Sequence, residues 1–204
     1  EHRYLLWLAA GYILTAFPLA AQILMDNARL ATWSLLTGAL YCAGSWATAQ
    51  GFALRSGGRV PARAALAISL GTLFALFCFS QLSDVLGARI VFLNLGMGLL
   101  LALALPALFG RDRDDALFER LLRRTYLLLV IYAALRPLLA WLLAGWFTSS
   151  GLPRSGLWLW MLAFNLLLNL WLLFLLLGGL AQQLMRELRH ERNHDPLTLL
   201  LNRR

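Results

Sequence analysis

The sequence predicts an all-α fold: a polytopic membrane bundle of six transmembrane helices, the last of which continues into a cytoplasmic helix. The chain of 204 residues is 60% hydrophobic and 14% charged. A soluble domain has about 45–50% apolar and about 25% charged residues. Apolar runs of about 20 residues, the length that crosses a hydrocarbon core roughly 30 Å thick, recur along the chain. Charged or turn-forming residues separate these runs, which favours several spans over one buried core.

The first three spans each stop where turn-forming or charged residues interrupt an apolar run. Asp26-Asn27 ends the first span, and Arg55-Ser-Gly-Gly ends the second. The third begins after Pro61, which favours a helix start, and it ends at Ser83-Asp84. These breaks predict spans over residues 4–25, 30–53 and 62–82.

The last three spans follow the same logic. Gly87 precedes the fourth, and a charged run over residues 110–124 separates the fourth from the fifth as a solvated loop that opens a helix. A polar stretch over 148–156 precedes the sixth, after which helix-forming residues continue without a breaker to Asn193. The predicted spans are residues 89–109, 124–147 and 157–182.

Glycine residues inside the predicted spans have a structural interpretation. Small residues let the backbones of membrane helices approach closely, which is the main source of packing energy between them. We therefore expect helix contacts at four span positions: Gly38, Gly44, Gly96 and Gly98.

Arginine placement predicts the orientation. All 18 basic residues are arginine. With the N-terminus inside, 14 of the 18 fall on the cytoplasmic side, three (Arg29, Arg89 and Arg154) fall outside, and Arg136 lies within a span. Basic residues concentrate on the cytoplasmic side of membrane proteins. The pattern predicts that both termini are cytoplasmic, and it explains the net charge of +8 without a nucleic-acid partner.

Several classes of chemistry are disfavoured by what the spans lack. There is no lysine for a Schiff base, and the three histidines (His2, His190 and His194) lie near the termini, so no span offers an imidazole to haem or metal. The two cysteines, Cys42 and Cys78, lie inside apolar stretches, where thiols usually fill space. We expect no cofactor in this chain.

The tail carries leucines near heptad spacing, at Leu177, Leu180 and Leu184, followed by Leu188. Such spacing is typical of helices that pair with a copy of themselves, so it predicts a homodimer. The alternative is a short helix that simply ends after leaving the membrane.

The last residues resemble the opening of a GGDEF domain, the diguanylate cyclase module. The family pattern reads Asp-x-Leu-Thr-Gly-Leu-x-Asn-Arg, and Leu199 stands where the family usually has glycine. The matching residues are Asp195, Leu197, Thr198, Leu200, Asn202 and Arg203.

The resemblance implies a bacterial inner-membrane enzyme that makes cyclic di-GMP from GTP and Mg²⁺, with its catalytic residues beyond Arg204. It also implies a MASE-type membrane sensor over residues 1–182, a signalling helix over 183–194, and the first residues of the cyclase domain over 195–204. Asp195, Leu197, Thr198, Asn202 and Arg203 would then transmit the signal, together with the tail leucines. The alternative function is a small six-helix transporter or channel, although the two halves show no convincing internal repeat.

Arg136 is the outstanding candidate for ligand binding. It lies twelve residues after Arg124, which places it about 18 Å into the span at 1.5 Å per residue. An arginine at that depth costs about 2.5–3.5 kcal/mol on insertion scales, so a function or a partner must compensate. The planar guanidinium suits a carboxylate or phosphate. We expect it to hold the anionic head of a partly apolar ligand, such as a fatty acid or lipid, unless it instead pairs with Asp26 or Asp84 as a tie between helices.

Other polar and aromatic residues fall at similar depth or nearer the outer side and could surround the same ligand. Asn165, Asn169 and Gln22 would supply hydrogen bonds, and Trp141 would form an apolar wall. The remaining candidates are Asp26, Gln81, Asp84, Asn94 and Tyr132.

Overall fold

A computed structural model describes residues 3–24, 29, 32–83, 85–110, 117–144 and 156–193. Within these residues every regular element is helical, which confirms the all-α prediction. The elements are α1 (Arg3–Leu24), α2 (Ser34–Arg55), α3 (Ala62–Phe77) with a following π-helical turn (Cys78–Leu82), α4 (Leu86–Ala102), α5 (Leu105–Phe109), α6 (Leu117–Ala144) and α7 (Gly156–Asn193).

Four helical segments among the described residues are long and apolar enough to cross a membrane: Arg3–Ala21, Ala62–Leu82, Leu86–Phe109 and Trp160–Met185. The other two long helices, α2 and α6, have 22 and 28 residues and are less apolar. Helix α2 is surrounded by α1, α3 and α4, and a helix that faces protein rather than lipid needs fewer apolar side chains. Helix α6 begins with Glu119, Arg120, Arg123 and Arg124, which lower its average hydropathy.

The helix boundaries differ from the predicted spans at several places. Helix α2 begins at Ser34 rather than at residue 30, and the fourth predicted span is divided into α4 and α5 by a turn at Leu103 and Ala104. Helix α6 begins at Leu117, inside the charged run that was predicted as a loop, and α4 begins at Leu86 rather than at residue 89. The early start of α6 has a packing reason, because Phe118 lies against Gly178 of α7. Arg120 and Arg124 are exposed at this end of α6, whereas Glu119 and Arg123 are half-buried and bond to Arg55 and to the carbonyl of Leu108.

Helices α1 and α2 form the most extensive helix–helix contact among the described residues, and their close approach depends on glycine. A Cβ on Gly44 would lie 3.0 Å from the carbonyl oxygen of Gly11. The remaining predicted glycine contacts are also confirmed, since added Cβ atoms would crowd a neighbouring helix: Gly38 against Leu76, Gly96 against Thr72, and Gly98 against Ala134.

One end of the bundle is filled by large side chains, and we call it the closed end. The rings of Phe52 and Tyr126 lie 4.6 Å apart there, and the Tyr126 hydroxyl donates a hydrogen bond of 2.8 Å to the carbonyl of Leu101. An ion pair between Arg55 of α2 and Glu119 of α6 lies beside it. The core of this end also includes Leu8, Ala53, Leu100, Leu108, Leu122 and Leu172.

Helix α7 is a single helix from Gly156 to Asn193, as the helix-forming tail predicts. Leu177, Leu184 and Leu188 are exposed on it, whereas Leu180 is half-buried. The predicted signalling residues of the GGDEF-like segment lie outside the described residues: Asp195, Leu197, Thr198, Asn202 and Arg203.

Candidate ligand-binding cavity

A cavity of about 290 Å³ occupies the other end of the bundle, which we call the cavity end. Five helices line it (α1, α2, α4, α6 and α7), and α3 contributes Leu76. Its polar lining consists of two arginines, two tyrosines, hydroxyl residues and three asparagines: Arg89, Arg136, Tyr12, Tyr41, Thr15, Ser34, Thr37, Ser45, Thr48, Asn94, Asn165 and Asn169. Alanine, leucine, isoleucine and methionine side chains form the rest, so the cavity suits a molecule with a polar head and an apolar part.

A stripe of hydroxyl groups on α2 forms one wall. Ser34, Thr37, Tyr41, Ser45 and Thr48 follow one another at three- and four-residue spacing, which places them on one face of a helix. Thr37 donates to the carbonyl of Trp33 at 3.0 Å. Such local bonds let hydroxyl residues sit in an apolar setting at little cost. This stripe is not among the predicted site residues, although its spacing is visible in the sequence.

Two arginines lie in the same cavity. Arg136 is in α6, immediately before Pro137, and the phenols of Tyr41 and Tyr132 are close enough to interact electrostatically with it. Arg89 is in the first turn of α4. From sequence, Arg89 is predicted only as an outer-side charge, because it stands at the edge of a predicted span. Among the described residues that line the cavity there is no carboxylate, so this set of residues is strongly positive.

Three predicted asparagines join Arg136 in the cavity. Asn94 of α4 is buried, and its amide donates to the carbonyl of Ile90 at 2.8 Å. Asn169 of α7 donates to the carbonyl of Asn165 at the same distance. Each bond fixes an amide side chain one helical turn from its acceptor, so these polar groups are held in place at the wall.

The other predicted site residues have different positions or are not described. Tyr132 is not a lining residue: its hydroxyl donates to the carbonyl of Met161 at 2.6 Å and ties α6 to α7. Gln81 is exposed in the π-helical turn and does not line the cavity. Four candidates lie outside the description, two entirely (Asp26 and Asp84) and two through their side chains (Gln22 and Trp141).

The chemistry that this set of residues offers is binding of an anion. Two guanidinium groups provide planar arrays of donors, and the hydroxyl and amide groups provide further hydrogen bonds. Within the described residues no group of three or more His, Cys, Asp or Glu is placed to hold a metal ion.

Comparison of the chain with protein-family models, with curated proteins and with solved structures finds no match.

Proposed function

We propose that the chain is the membrane-embedded input region of a bacterial inner-membrane diguanylate cyclase, and that an anionic ligand in the cavity regulates cyclic di-GMP synthesis through α7. One observation carries the proposal. Asn165 and Asn169 line the cavity, and the helix that holds them continues to Asn193 without interruption. The same element therefore touches the ligand site and leads directly to the residues that resemble a GGDEF domain.

Ligand recognition rests on the two arginines. A guanidinium binds carboxylate or phosphate oxygens with two parallel hydrogen bonds, and such bonds are about twice as strong as neutral ones. Inside the bundle the dielectric constant is lower than in water, so the attraction between a guanidinium and a bound anion is stronger there. Arg136 and Arg89 supply the charge, and the Asn94 amide and the α2 hydroxyl stripe supply neutral donors and acceptors.

Signal transmission rests on how α7 is held. Its main packing partner among the described helices is α6, to which the Tyr132–Met161 bond ties it. A bound ligand contacts Asn165 and Asn169 of α7 together with residues of α2, α4 and α6. If it binds more tightly to one arrangement of α7 than to another, it shifts the equilibrium between the two arrangements by that difference in affinity.

Two copies of the chain complete the proposal. All six long helices span the membrane with both termini in the cytoplasm, as the arginine distribution indicates. The exposed Leu184 and Leu188 of two α7 helices pair in the cytoplasm. Joining two GTP molecules requires two facing cyclase domains, so a rotation or shift within this helix pair changes their activity.

The test uses the complete gene in a bacterial host that makes no cyclic di-GMP of its own, with oleate as the probe. We expect a GGDEF signature after residue 204, and cyclic di-GMP whose level changes when oleate is added. Arg136→Gln should abolish that response, whereas Arg124→Gln, an exposed arginine on the same helix, should keep it. A gene without the signature, or ion or solute flux in proteoliposomes with no cyclic di-GMP, would contradict the proposal and favour a transporter.

A further inference from the structure

The wall of the cavity is an arc of helices rather than a closed ring. Around the cavity, α1 packs on α2, α2 on α4, α4 on α6, and α6 on α7. The two ends of this arc, α1 and α7, are not among the described helix pairs that pack together extensively. The cavity is therefore least enclosed on the side between α1 and α7.

Exposure of the lining residues identifies the same side. Almost all of them are buried or half-buried. Among the described lining residues, Ala16 of α1 and Leu166 of α7 are the only two that are exposed, and 51% of the Leu166 surface is accessible. Each of these two residues reaches from the cavity to the outer surface, so a lateral mouth between α1 and α7 would lie beside them.

The rim of the mouth is apolar. On α1, Ile13 and Phe17 are 58% and 65% exposed. On α7, Leu167 and Leu170 are 63% and 44% exposed. Both helices contain segments that are long and apolar enough to cross a membrane, so this rim lies at the depth of the lipid tails. A mouth of this kind opens into hydrocarbon.

We infer that the cavity takes a single-chain lipid acid from the bilayer through the mouth between Ala16 and Leu166. The acidic head lies with Arg136, Arg89 and the asparagines, and the acyl chain leaves between α1 and α7 into the membrane. Size supports the arrangement, because about 290 Å³ is at the lower end of the roughly 300–1,000 Å³ of ligand pockets. Such a space holds the acidic head and the first part of the acyl chain, but not the whole of a long acyl chain. The inference rests on the anion site of the proposed function and adds the source and class of the ligand.

The test measures equilibrium binding of radiolabelled oleate to the chain in lipid nanodiscs. Ala16→Trp and Leu166→Trp place a large ring in the mouth, and we expect each to weaken oleate binding tenfold or more. Two matched controls carry the same ring on the same helices, at exposed positions at least two turns from the mouth that neither line the cavity nor form its rim: Ala9→Trp and Leu177→Trp. They should stay within twofold of the unmodified chain. All four positions are exposed, so the added ring meets no packed core.

The outcomes separate the mouth from the anion site. Butyrate, which has the same carboxylate but hardly any chain, should bind at least tenfold more weakly than oleate. If Arg136→Gln loses oleate while both mouth variants keep it, the anion site stands and the lateral mouth is rejected. Butyrate binding equal to that of oleate would show that the ligand comes from water, and this also rejects the inference. If oleate does not bind even to the unmodified chain, or binds equally well to the unmodified chain and to Arg136→Gln, both the inference and the anion site fail.

Discussion

The two ends of the bundle are built by the same helices, but one end is tightly packed and the other encloses a cavity. At the closed end, α2 and α6 contribute Phe52 and Tyr126, whose rings fill the space between them. At the cavity end, the same α2 presents Ser34 and Thr37, and α6 presents Arg136, around an open volume. A helix can therefore change from packing to binding along its length by exchanging large apolar residues for polar ones on one face. The closed end supplies stability, and the cavity end gives up packing for a site.

The largest expected effect comes from truncating a side chain at the closed end. Phe52→Ala removes a ring that is 1% exposed and packs on Tyr126. We expect it to lower the free energy of unfolding by about 3–5 kcal/mol, because the surrounding helices cannot collapse fully into the void. Leu93→Ala at the cavity end should cost about 1 kcal/mol, since part of that side chain already faces empty space rather than packed atoms.

Unfolding of both variants in mixed micelles of detergent and dodecyl sulfate measures this difference. If Leu93→Ala is as damaging as Phe52→Ala, the cavity end is as tightly packed as the closed end. The functional contrast between the two ends would then have no basis in packing.

A smaller effect is expected where α1 crosses α2 at the closed end. A Cβ on Gly51 would lie 2.6 Å from the Leu8 side chain and 3.1 Å from its backbone nitrogen. Gly51→Ala should therefore force the two helices apart and cost about 1–3 kcal/mol, the usual range for overpacking. Gly71→Ala in α3 is the matched control, because no atom lies within 4 Å of its added Cβ. Alanine there should leave stability unchanged or raise it, by at most about 1 kcal/mol through helix propensity.

The same unfolding titration compares the two alanine variants. Equal stability of both would mean that glycine is not required for the approach of α1 to α2. Loss of stability in Gly71→Ala alone would contradict the arrangement of α3.

Part of this contrast could be predicted from sequence, and part could not. Arg136, Asn94, Asn165 and Asn169 were predicted because polar groups are expensive in lipid and mark an inward face. Arg89 was missed because it stands at the edge of a predicted span. At that position, the sequence does not show whether an arginine side chain points into the bundle or into water. The α2 hydroxyl stripe was missed because serine and threonine are common in membrane helices, where their hydroxyls can bond to the backbone of their own helix, so their presence does not by itself indicate a site.

The lateral mouth could not be predicted from the sequence, for a different reason. Periodicity shows which face of a helix is polar but not which helices are neighbours. Ala16 and Leu166 are ordinary apolar residues in their spans. They acquire a role only because α1 and α7 are the two ends of an arc.

The smallest expected effect uses one hydroxyl from each end. The Tyr126 hydroxyl donates to the Leu101 carbonyl at the closed end. The Tyr12 hydroxyl lines the cavity end and is buried without a hydrogen-bond partner among the described residues. Tyr126→Phe should cost about 1 kcal/mol, because it breaks a bond and leaves the buried carbonyl with one acceptor site unfilled.

Tyr12→Phe should change stability by less than about 0.5 kcal/mol in either direction, since the hydroxyl that it removes has no hydrogen-bond partner among the described residues. The two substitutions delete the same atom from the same residue type, so side-chain size cannot explain a difference between them. Equal losses in the unfolding titration would show that Tyr12 is bonded as firmly as Tyr126. The cavity end would then be a second structural core rather than a site kept open for a ligand.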